Sequence, residues 1–432
     1  MFKKHVQKKL EKYVKKYFIK HPEVKLVVVA GSVGKTSTKR AIATLLSQRY
    51  RVRMQDNNYN TELSAPCGIL GVTYPAKVHS IFAWHKVFRA ARKRIKHPTD
   101  VDVIVQELGA DKPGDMAVFS RYLLPDIAFV TAVTPEHMEY FGSIEAVAQE
   151  ELSVVNFSKT ALINRDDIEG RFANFITNPN FNTYGTTGAA EYSFEQQDFT
   201  TDHGYSGTII SPEIAQPFPV NIHVVGEHSL RPIMGGIAVA IKFGLNPVEI
   251  ARGLEQIRPV PGRMNILDGI GGTVIIDDTY NSSPAAAIAA LQTLYSFDQA
   301  PQRIAILGDM NELGASSQVE HEKLGNACDP DLLAWVITVG PESEKYLVPA
   351  ARRRGCQVKP CRDAIEAGQF ARSISEEGAI ILAKGSQNGV FLEEAVKILC
   401  NMTEDVELVR QSTQWQAKKA AYFSRFEDSP QK

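Results

Sequence analysis

Short apolar runs of strand length recur along the chain, and segments with apolar residues at helical spacing follow most of them. This alternation is typical of parallel sheets covered by helices, because parallel strands need a long crossover connection. The pattern therefore predicts an α/β fold, with a parallel sheet in the first part of the chain and a Rossmann-like, doubly wound sheet in the last part. The predicted strands are residues 26–29, 51–54, 101–109, 126–133, 273–276, 303–307, 335–339 and 379–383.

Two segments near the start of the chain predict basic amphipathic helices. In residues 2–20 apolar side chains recur at helical spacing and lysines cover the remaining face. We interpret this helix as packed on the surface of the first domain, and contact with an anionic membrane or an acidic substrate remains open. Residues 77–100 are basic with interleaved aromatic side chains, and they form either a solvated face or an anion-facing wall.

Composition is that of an ordinary globular protein, with 432 residues, 44% hydrophobic and 22% charged. The formal net charge of −1 offers no general argument for a nucleic-acid or membrane partner. No apolar stretch reaches membrane-spanning length, and the lysine-rich start lacks the apolar core of a signal peptide. The five cysteines are scattered, so we expect free thiols and a cytoplasmic protein.

The most specific pattern is a glycine-rich turn between a predicted strand and a predicted helix. Such a turn binds a triphosphate, because glycines let the backbone approach the phosphates and the helix N-terminus faces the anion. Lys35 can reach the β- and γ-phosphate oxygens, and the Thr36 hydroxyl can ligate Mg²⁺. Val29 stands where the usual motif has its first glycine, and a plain strand-to-helix turn is the alternative. The turn and the start of its helix are Gly31, Ser32, Val33, Gly34, Lys35, Thr36 and Ser37.

Two other predicted strands end in residues that can bind a cation. Glu107 lies near the end of residues 101–109, and His137 follows residues 126–133. Parallel strands deliver such residues to one crevice, so we expect both near the glycine turn. A buried carboxylate is costly without a partner, and we therefore expect Glu107 to meet a cation. The asparagine-rich loop that contains Asn60 is either an ordinary turn or faces the phosphates.

Ten blocks, in this order, resemble the Mur ligase family and most closely its dipeptide-adding branch. The last four blocks are the most characteristic of that branch. The blocks are residues 31–38, 58–66, 107–110 with 113–114, 137 with 141–143, 164–167, 226–228, 261–263, 277–284, 307–314 and 384–386.

The resemblance implies an ATP-dependent, Mg²⁺-requiring ligase. In such enzymes a substrate carboxylate is phosphorylated, and an amine then attacks the acyl phosphate to give an amide, ADP and phosphate. The substrates are small molecules or peptides, and a cell-wall precursor peptide is the expected acceptor. The implied organisation is a basic N-terminal helix at residues 1–23, a central ATP-binding domain at 24–262 and a C-terminal domain at 263–432.

Roles for individual residues also follow from the resemblance. Lys35 and the loop amides would stabilise the transferred γ-phosphoryl group, and Thr36 would hold one Mg²⁺. Glu107 and His137 would hold a second Mg²⁺. From the C-terminal part, Arg263 would reach the phosphates, and the residues expected to line the ribose and adenine are Asp278, Tyr280 and Asn281.

The chain departs from the family pattern in three ways. Family members carry a UDP-binding domain before the glycine turn, whereas only 30 residues precede Gly31 here. We therefore expect the precursor to be held by the basic helix or by a partner subunit, or to lack UDP. The family also has a carbamylated lysine fourteen residues after the metal-binding histidine, where this chain has Glu151.

Our hypothesis is that Glu151 supplies the missing anion beside Mg²⁺; the alternative is a glutamate on a helix surface. The third departure is the adenine-contacting segment, in which His228 is retained but Ser229 replaces the family's asparagine.

Two other functions remain open. One is an amide ligase for a different carboxylate, of the kind that makes folylpolyglutamate or cyanophycin, whose members also lack the UDP-binding domain. The other is an ATP-binding subunit without catalytic activity. Amine-dependent turnover distinguishes a ligase from such a subunit.

Overall fold

The computed structural model of the protein describes residues 2–56, 59–201 and 203–427. They form two compact units, of which the first comprises Met1–His223 and Leu230–Ile257 and the second comprises Val224–Ser229 and Arg258–Lys432. Asn58, with which one of the family blocks begins, lies outside the described residues.

The first unit is built on a six-stranded sheet whose neighbouring strands are all parallel. The spatial order is β2-β3-β1-β4-β5-β6, so the chain changes direction across the sheet at its first strand. Ligands bind outside the carboxyl ends of the strands at such a switch point. The strands are β1 (Lys25–Ala30), β2 (Val52–Arg53), β3 (Val103–Glu107), β4 (Ile127–Val130), β5 (Thr160–Asn164) and β6 (Phe181–Tyr184).

Helices cover both faces of this sheet, which is why the β1 residues Val27, Val28 and Val29 are completely buried. The register pairs Val29 with Glu107 on one side and with Phe129 on the other. Glu107, the last residue of β3, therefore lies beside Val29, which precedes Gly31 by two residues. The helices are α1 (Phe2–Lys20), α2 (Lys35–Leu46), α3 (Ser64–Leu70), α4 (Ile81–Lys96), α5 (Asp115–Ser120), α6 (Met138–Phe141), α7 (Ile144–Asn156), α8 (Glu227–Lys242, shared with the second unit) and α9 (Pro247–Leu254).

The predicted N-terminal helix is confirmed as α1, and its apolar stripe packs into the core of the first unit. Val6, Leu10, Val14 and Tyr17 are almost fully buried, so the interpretation of α1 as a packed surface helix is also confirmed. A small antiparallel sheet completes this unit, formed by β7 (Ser193–Thr200), β8 (Gly204–Ile210) and β9 (Phe218–Ile222).

The second unit contains a sheet of order β10-β11-β15-β12-β13-β14, in which only β10 is antiparallel to its neighbour. The strands are β10 (Asn265–Asp268), β11 (Val274–Asp278), β12 (Arg303–Gly308), β13 (Trp335–Val339), β14 (Val358–Cys361) and β15 (Ile380–Lys384). The helices are α10 (Pro284–Tyr295), α11 (Ser317–Ala327), α12 (Val348–Arg353), α13 (Ala364–Ile374), α14 (Glu393–Leu399) and α15 (Thr413–Glu427).

Both sheets confirm the predicted α/β class. The predicted strands include no counterpart of β5 to β10 or of β14. Both β10 and β14 are short edge strands of the second sheet, and Pro360 interrupts β14. All five cysteines are buried free thiols, as predicted. Across residues 2–56, 59–201 and 203–427, no helix combines the length and the apolar character needed to cross a membrane.

Candidate active site

The glycine loop, residues 31–36, connects β1 to α2 at the switch point of the first sheet. Gly31 and Gly34 adopt positive φ angles of 118° and 81°, which are strained for residues with a side chain. A Cβ on Gly31 would lie 2.2 Å from Thr131 Oγ1 and 2.9 Å from the backbone nitrogen of Ala132. The loop therefore depends on glycine both for its conformation and for its close approach to the segment after β4.

Lys35, the first residue of α2, folds back over the loop. Its ammonium group donates hydrogen bonds to the carbonyl oxygens of Gly31 and Ser32, the latter at 3.1 Å. The carboxylate of Glu136 lies 3.8 Å away. The cation is thus held at the loop, where it can meet an anionic ligand.

Glu107 lies beside the loop and is almost completely buried. Thr36 Oγ1 donates a hydrogen bond of 3.1 Å to its carboxylate, and Asn60 Nδ2 donates another of 3.3 Å. The cation expected beside Glu107 is supplied by Lys39, whose Nζ lies 3.4 Å from the carboxylate. Burial is the main cause of a lowered Lys39 pKa, and the attraction of Glu107 opposes it.

Sequence reasoning did not identify Lys39 as part of the site. The signal was present, because Lys39 follows Thr36 by three residues and Lys35 by four, which places all three on one side of α2. Of the two alternatives for the loop of Asn60, the contact with Glu107 favours the one in which the loop lies at this site, and a contact with phosphates stays a prediction.

Glu151 on α7 also reaches the glycine loop. It is only 2% exposed, and its Oε2 accepts a hydrogen bond of 2.7 Å from the backbone N–H of Gly31. Burial raises its pKa from 4.5 to about 7, although Lys35 and this hydrogen bond act in the opposite direction. The alternative of a glutamate on the helix surface is therefore wrong, whereas a role beside Mg²⁺ stays a prediction.

His137 lies on the segment that follows β4. Its backbone has a positive φ of 50°, and its Nε2 lies 3.6 Å from Asp111 Oδ1 and 3.8 Å from Glu136 Oε1. Within the described ranges, no three or more His, Cys, Asp or Glu side chains form a group that could hold a metal ion. The structure thus brings Thr36 to Glu107 and Glu151 to Gly31, but it does not gather the predicted ligands into one metal cage.

The predicted residues of the second unit form a cluster of their own around the end of β11. The Arg263 guanidinium lies 4.2 Å from the centroid of the Tyr280 ring. Lys384 Nζ forms a 2.8 Å ion pair with Asp278 and donates a 2.7 Å hydrogen bond to the carbonyl oxygen of Asn281. These contacts fix the segment that carries Asp278, Tyr280 and Asn281.

His228 lies in the first turn of α8 and is partly buried. Its ring stands close to Gly226, where an added Cβ would lie 2.9 Å from Cε1. Gly226 also has a positive φ of 83°, so the turn that precedes His228 requires glycine. A contact of His228 with adenine stays a prediction.

A strand, a glycine loop with lysine and threonine, and a helix at the switch point define the first unit as a P-loop nucleotide-binding domain. A family model for the Mur ligase middle domain matches residues 29–240, and one for the Mur ligase glutamate ligase domain matches residues 262–387. The chain belongs to the Mur ligase family.

Among curated proteins, the chain is 28% identical over 391 residues to UDP-N-acetylmuramoyl-tripeptide--D-alanyl-D-alanine ligase of Bacillus subtilis, covering 89% of this chain and 78% of that protein. These comparisons confirm the predicted family and an ATP-dependent ligase as the class of enzyme.

Solved structures show the same fold at low sequence identity. MurF from Acinetobacter baumannii has a TM-score of 0.73 at 21% identity, with 90% of this chain and 79% of that chain covered. MurF from Thermotoga maritima, solved in complex with ADP, has a TM-score of 0.71 at 22% identity, with coverages of 91% and 83%. Folylpolyglutamate synthase from Mycobacterium tuberculosis has a TM-score of 0.62 at 15% identity, with coverages of 90% and 94%.

Proposed function

We propose that the protein joins D-alanyl-D-alanine to the terminal carboxylate of a UDP-N-acetylmuramoyl tripeptide, at the expense of ATP. The observation that carries this proposal is the glycine loop with Glu107 beside it, hydrogen-bonded to Thr36. The relative in Bacillus subtilis is named for this reaction, and it matches the chain over most of its length. We place the reaction in the cytoplasm, where the five free thiols would stay reduced.

The donors beside the loop fit a Mg²⁺ ion that arrives with a nucleotide. Thr36 Oγ1 and the Glu107 carboxylate are oxygen ligands 3.1 Å apart, and Mg²⁺ prefers one or two protein oxygens together with phosphate oxygens and water. This preference agrees with the absence of a larger acid and histidine cluster among the described residues. We propose Thr36 and Glu107 as the primary ligands, with His137 and Glu151 nearby; the ion would supply charge neutralisation at the phosphates.

The residues of the first unit have separate tasks in this reaction. Lys35 leaves the carbonyl oxygens of the loop and binds the β- and γ-phosphate oxygens, while the loop N–H groups hold the same anion. The substrate carboxylate oxygen attacks the γ-phosphorus, and the bond to the ADP oxygen breaks. The amine then attacks the acyl carbon, loses a proton and displaces phosphate. Preorganised donors around the transferred group account for the rate.

In the second unit we propose Asp278, Tyr280 and Asn281 as contacts for the ribose and adenine. The Lys384 contacts to Asp278 and Asn281 support this role, because they hold the segment in one conformation. Arg263, stacked on Tyr280, is the candidate for a phosphate contact.

The test is release of phosphate from ATP and Mg²⁺ by the purified protein. We expect release only when UDP-N-acetylmuramoyl tripeptide and D-alanyl-D-alanine are both present, and the amide product should appear in equal amount. Lys35→Met should lower kcat by about a hundredfold or more, because it removes a preorganised cation. Lys345→Met, at an exposed position of the second unit, is the matched control and should keep the wild-type rate.

A second candidate is an amide ligase that acts on a different carboxylate. One observation favours this second candidate, namely the share of the solved structure that the match covers. This share is 94% for folylpolyglutamate synthase and 79% for MurF from Acinetobacter baumannii. Phosphate release with a folate and glutamate, but not with the muramoyl tripeptide, would select this candidate. Tight ATP binding without turnover for any pair would reject both ligase proposals.

A further inference from the structure

Positive charge is concentrated in the first part of the sequence. Residues 1–97 contain 22 of the 48 lysines and arginines but only four of the 49 acidic residues. The remainder of the chain carries the compensating acidic excess, so the net charge of −1 conceals a strongly polarised chain. Such asymmetry is typical of proteins that bind an anionic surface or polymer.

Most of this positive charge lies on α1 and α4, which pack against each other in the first unit. The Tyr13 and Phe88 rings meet edge to face with their centroids 5.9 Å apart, and Lys9 Nζ lies 4.2 Å from the Phe88 centroid. The outward sides of the two helices therefore adjoin along this seam, and together we call them the basic surface. Its exposed cationic side chains include Lys12, Lys15, Lys16, Arg89, Arg92 and Lys93.

Large apolar side chains are exposed on the same two helices. Ile19 is 80% exposed, Ile81 68% and Phe82 84%. The apolar stripe of α1 is buried in the core and cannot serve as a membrane anchor. The sequences of the two helices contain one acidic residue, Glu11. Acids outside the helices pair with Lys3 and Arg94, neither of which is among the six exposed cations named above.

We infer that the basic surface docks the protein on a membrane that contains anionic lipids, without inserting a helix. Lysines and arginines attract anionic headgroups, and exposed apolar side chains enter the interfacial layer beneath them. Ile81 and Phe82 favour a lipid surface over a nucleic acid, whose phosphate backbone offers no apolar layer. The number of cations, spread along two helices, also exceeds what a single diphosphate group can contact.

The direct test is co-sedimentation of the full protein with vesicles. We expect binding to phosphatidylcholine vesicles that contain about 30% phosphatidylglycerol, weak binding to pure phosphatidylcholine, and loss of binding at about 0.5 M salt. The variant Lys12→Gln/Lys16→Gln/Arg89→Gln/Lys93→Gln should bind at least about tenfold more weakly. Phe82→Ser should weaken binding further at intermediate salt, where charge attraction is partly screened.

A charge-matched variant in the second unit is the control. Arg353, Arg372, Lys397 and Arg425 are exposed, and replacing all four with glutamine changes the net charge equally. This variant should keep full binding, and circular dichroism should show that both quadruple variants are folded. Equal binding to neutral and anionic vesicles, or an equal loss in the control variant, would overturn the inference. Binding of duplex DNA without binding of vesicles would assign the surface to a nucleic acid and overturn it too.

Discussion

The ammonium group of Lys39 lies 3.4 Å from the carboxylate of Glu107, and both side chains are at most 4% exposed. The same carboxylate accepts a hydrogen bond from Thr36, one turn earlier on α2. The helix that follows the glycine loop therefore carries a cation to the acid that we propose for Mg²⁺. Without Lys39, the buried Glu107 carboxylate would lose the ammonium group that lies 3.4 Å from it.

Replacing Lys39 with methionine should destabilise the protein by about 3 kcal/mol, because it removes one partner of a buried ion pair. Urea unfolding of the first unit measures this loss. Adding Glu107→Gln should restore most of it, since the double variant no longer buries a charge. Lys323→Met breaks an exposed pair with Glu320 and should change stability by less than about 1 kcal/mol. Equal losses of stability in Lys39→Met and Lys323→Met would show that breaking the buried pair with Glu107 costs no more than breaking the pair with Glu320.

The buried carboxyl of Glu151 predicts a pH dependence of stability. Its pKa of about 7 in the fold lies above 4.5, so between these values the folded state binds more protons than the unfolded state. The free energy of unfolding therefore falls as the pH rises from 4.5 to about 7, and ionisation of this carboxyl lowers it by roughly 3 kcal/mol in total. Relative to wild type, Glu151→Gln should gain stability over this window, because the amide stays neutral.

The measurement is the difference in unfolding free energy between wild type and Glu151→Gln at several pH values from 5 to 8. Taking the difference cancels groups that both proteins share. A difference that does not change with pH would contradict the raised pKa of Glu151. If the variant also turns over ATP at the wild-type rate with the same Mg²⁺ requirement, the proposed role of Glu151 beside the metal is wrong.

The local sequence pattern was sufficient to predict strands β1 to β4 of the first sheet and its glycine loop. Buried β-branched runs such as Val27–Val29 and the Gly34-Lys35-Thr36 turn determine local structure directly, and strand order places their ends at one edge. Contacts across the fold were harder to predict. Whether Glu151 faces solvent or Gly31 depends on how α7 packs, and neighbouring Glu150 gives the same local signal.

Gly31 should tolerate alanine poorly for two separable reasons. Alanine would be strained at a φ of 118°, and its Cβ would clash with Thr131 Oγ1 and the Ala132 nitrogen. Gly114 has a similar φ of 94° but nothing within 4 Å of an added Cβ, so Gly114→Ala reports the strain alone. We expect Gly31→Ala to lower the free energy of unfolding by at least about 2 kcal/mol more than Gly114→Ala does, as measured by thermal or urea unfolding. Adding Thr131→Ala should recover only part of this difference, and equal costs at the two glycines would argue against the clash.

Arg410 should control nucleotide affinity from outside the segment that we propose for ribose and adenine. Its guanidinium donates hydrogen bonds to the carbonyl oxygens of Thr279 at 2.6 Å and Tyr280 at 2.9 Å. The buried carboxylate of Glu393 holds the guanidinium through hydrogen bonds of 2.6 and 2.8 Å. The segment that we propose for ribose and adenine is therefore fixed by a residue that follows the last strand.

Arg410→Lys keeps the charge beside Glu393, but a single ammonium nitrogen cannot replace the four hydrogen bonds that the planar guanidinium donates to Thr279, Tyr280 and Glu393. We expect the KM for ATP to rise about tenfold with kcat nearly unchanged, corresponding to the loss of one or two hydrogen bonds. Arg410→Met should in addition lower stability, since it removes the guanidinium that forms two hydrogen bonds with the buried Glu393 carboxylate and leaves Lys419, 3.4 Å away, as the neighbouring cation. Arg372→Lys, at an exposed position of α13, is the matched control and should leave KM unchanged. A wild-type KM in Arg410→Lys would mean that Thr279–Asn281 keeps its conformation without the fork, and the positioning role would be wrong.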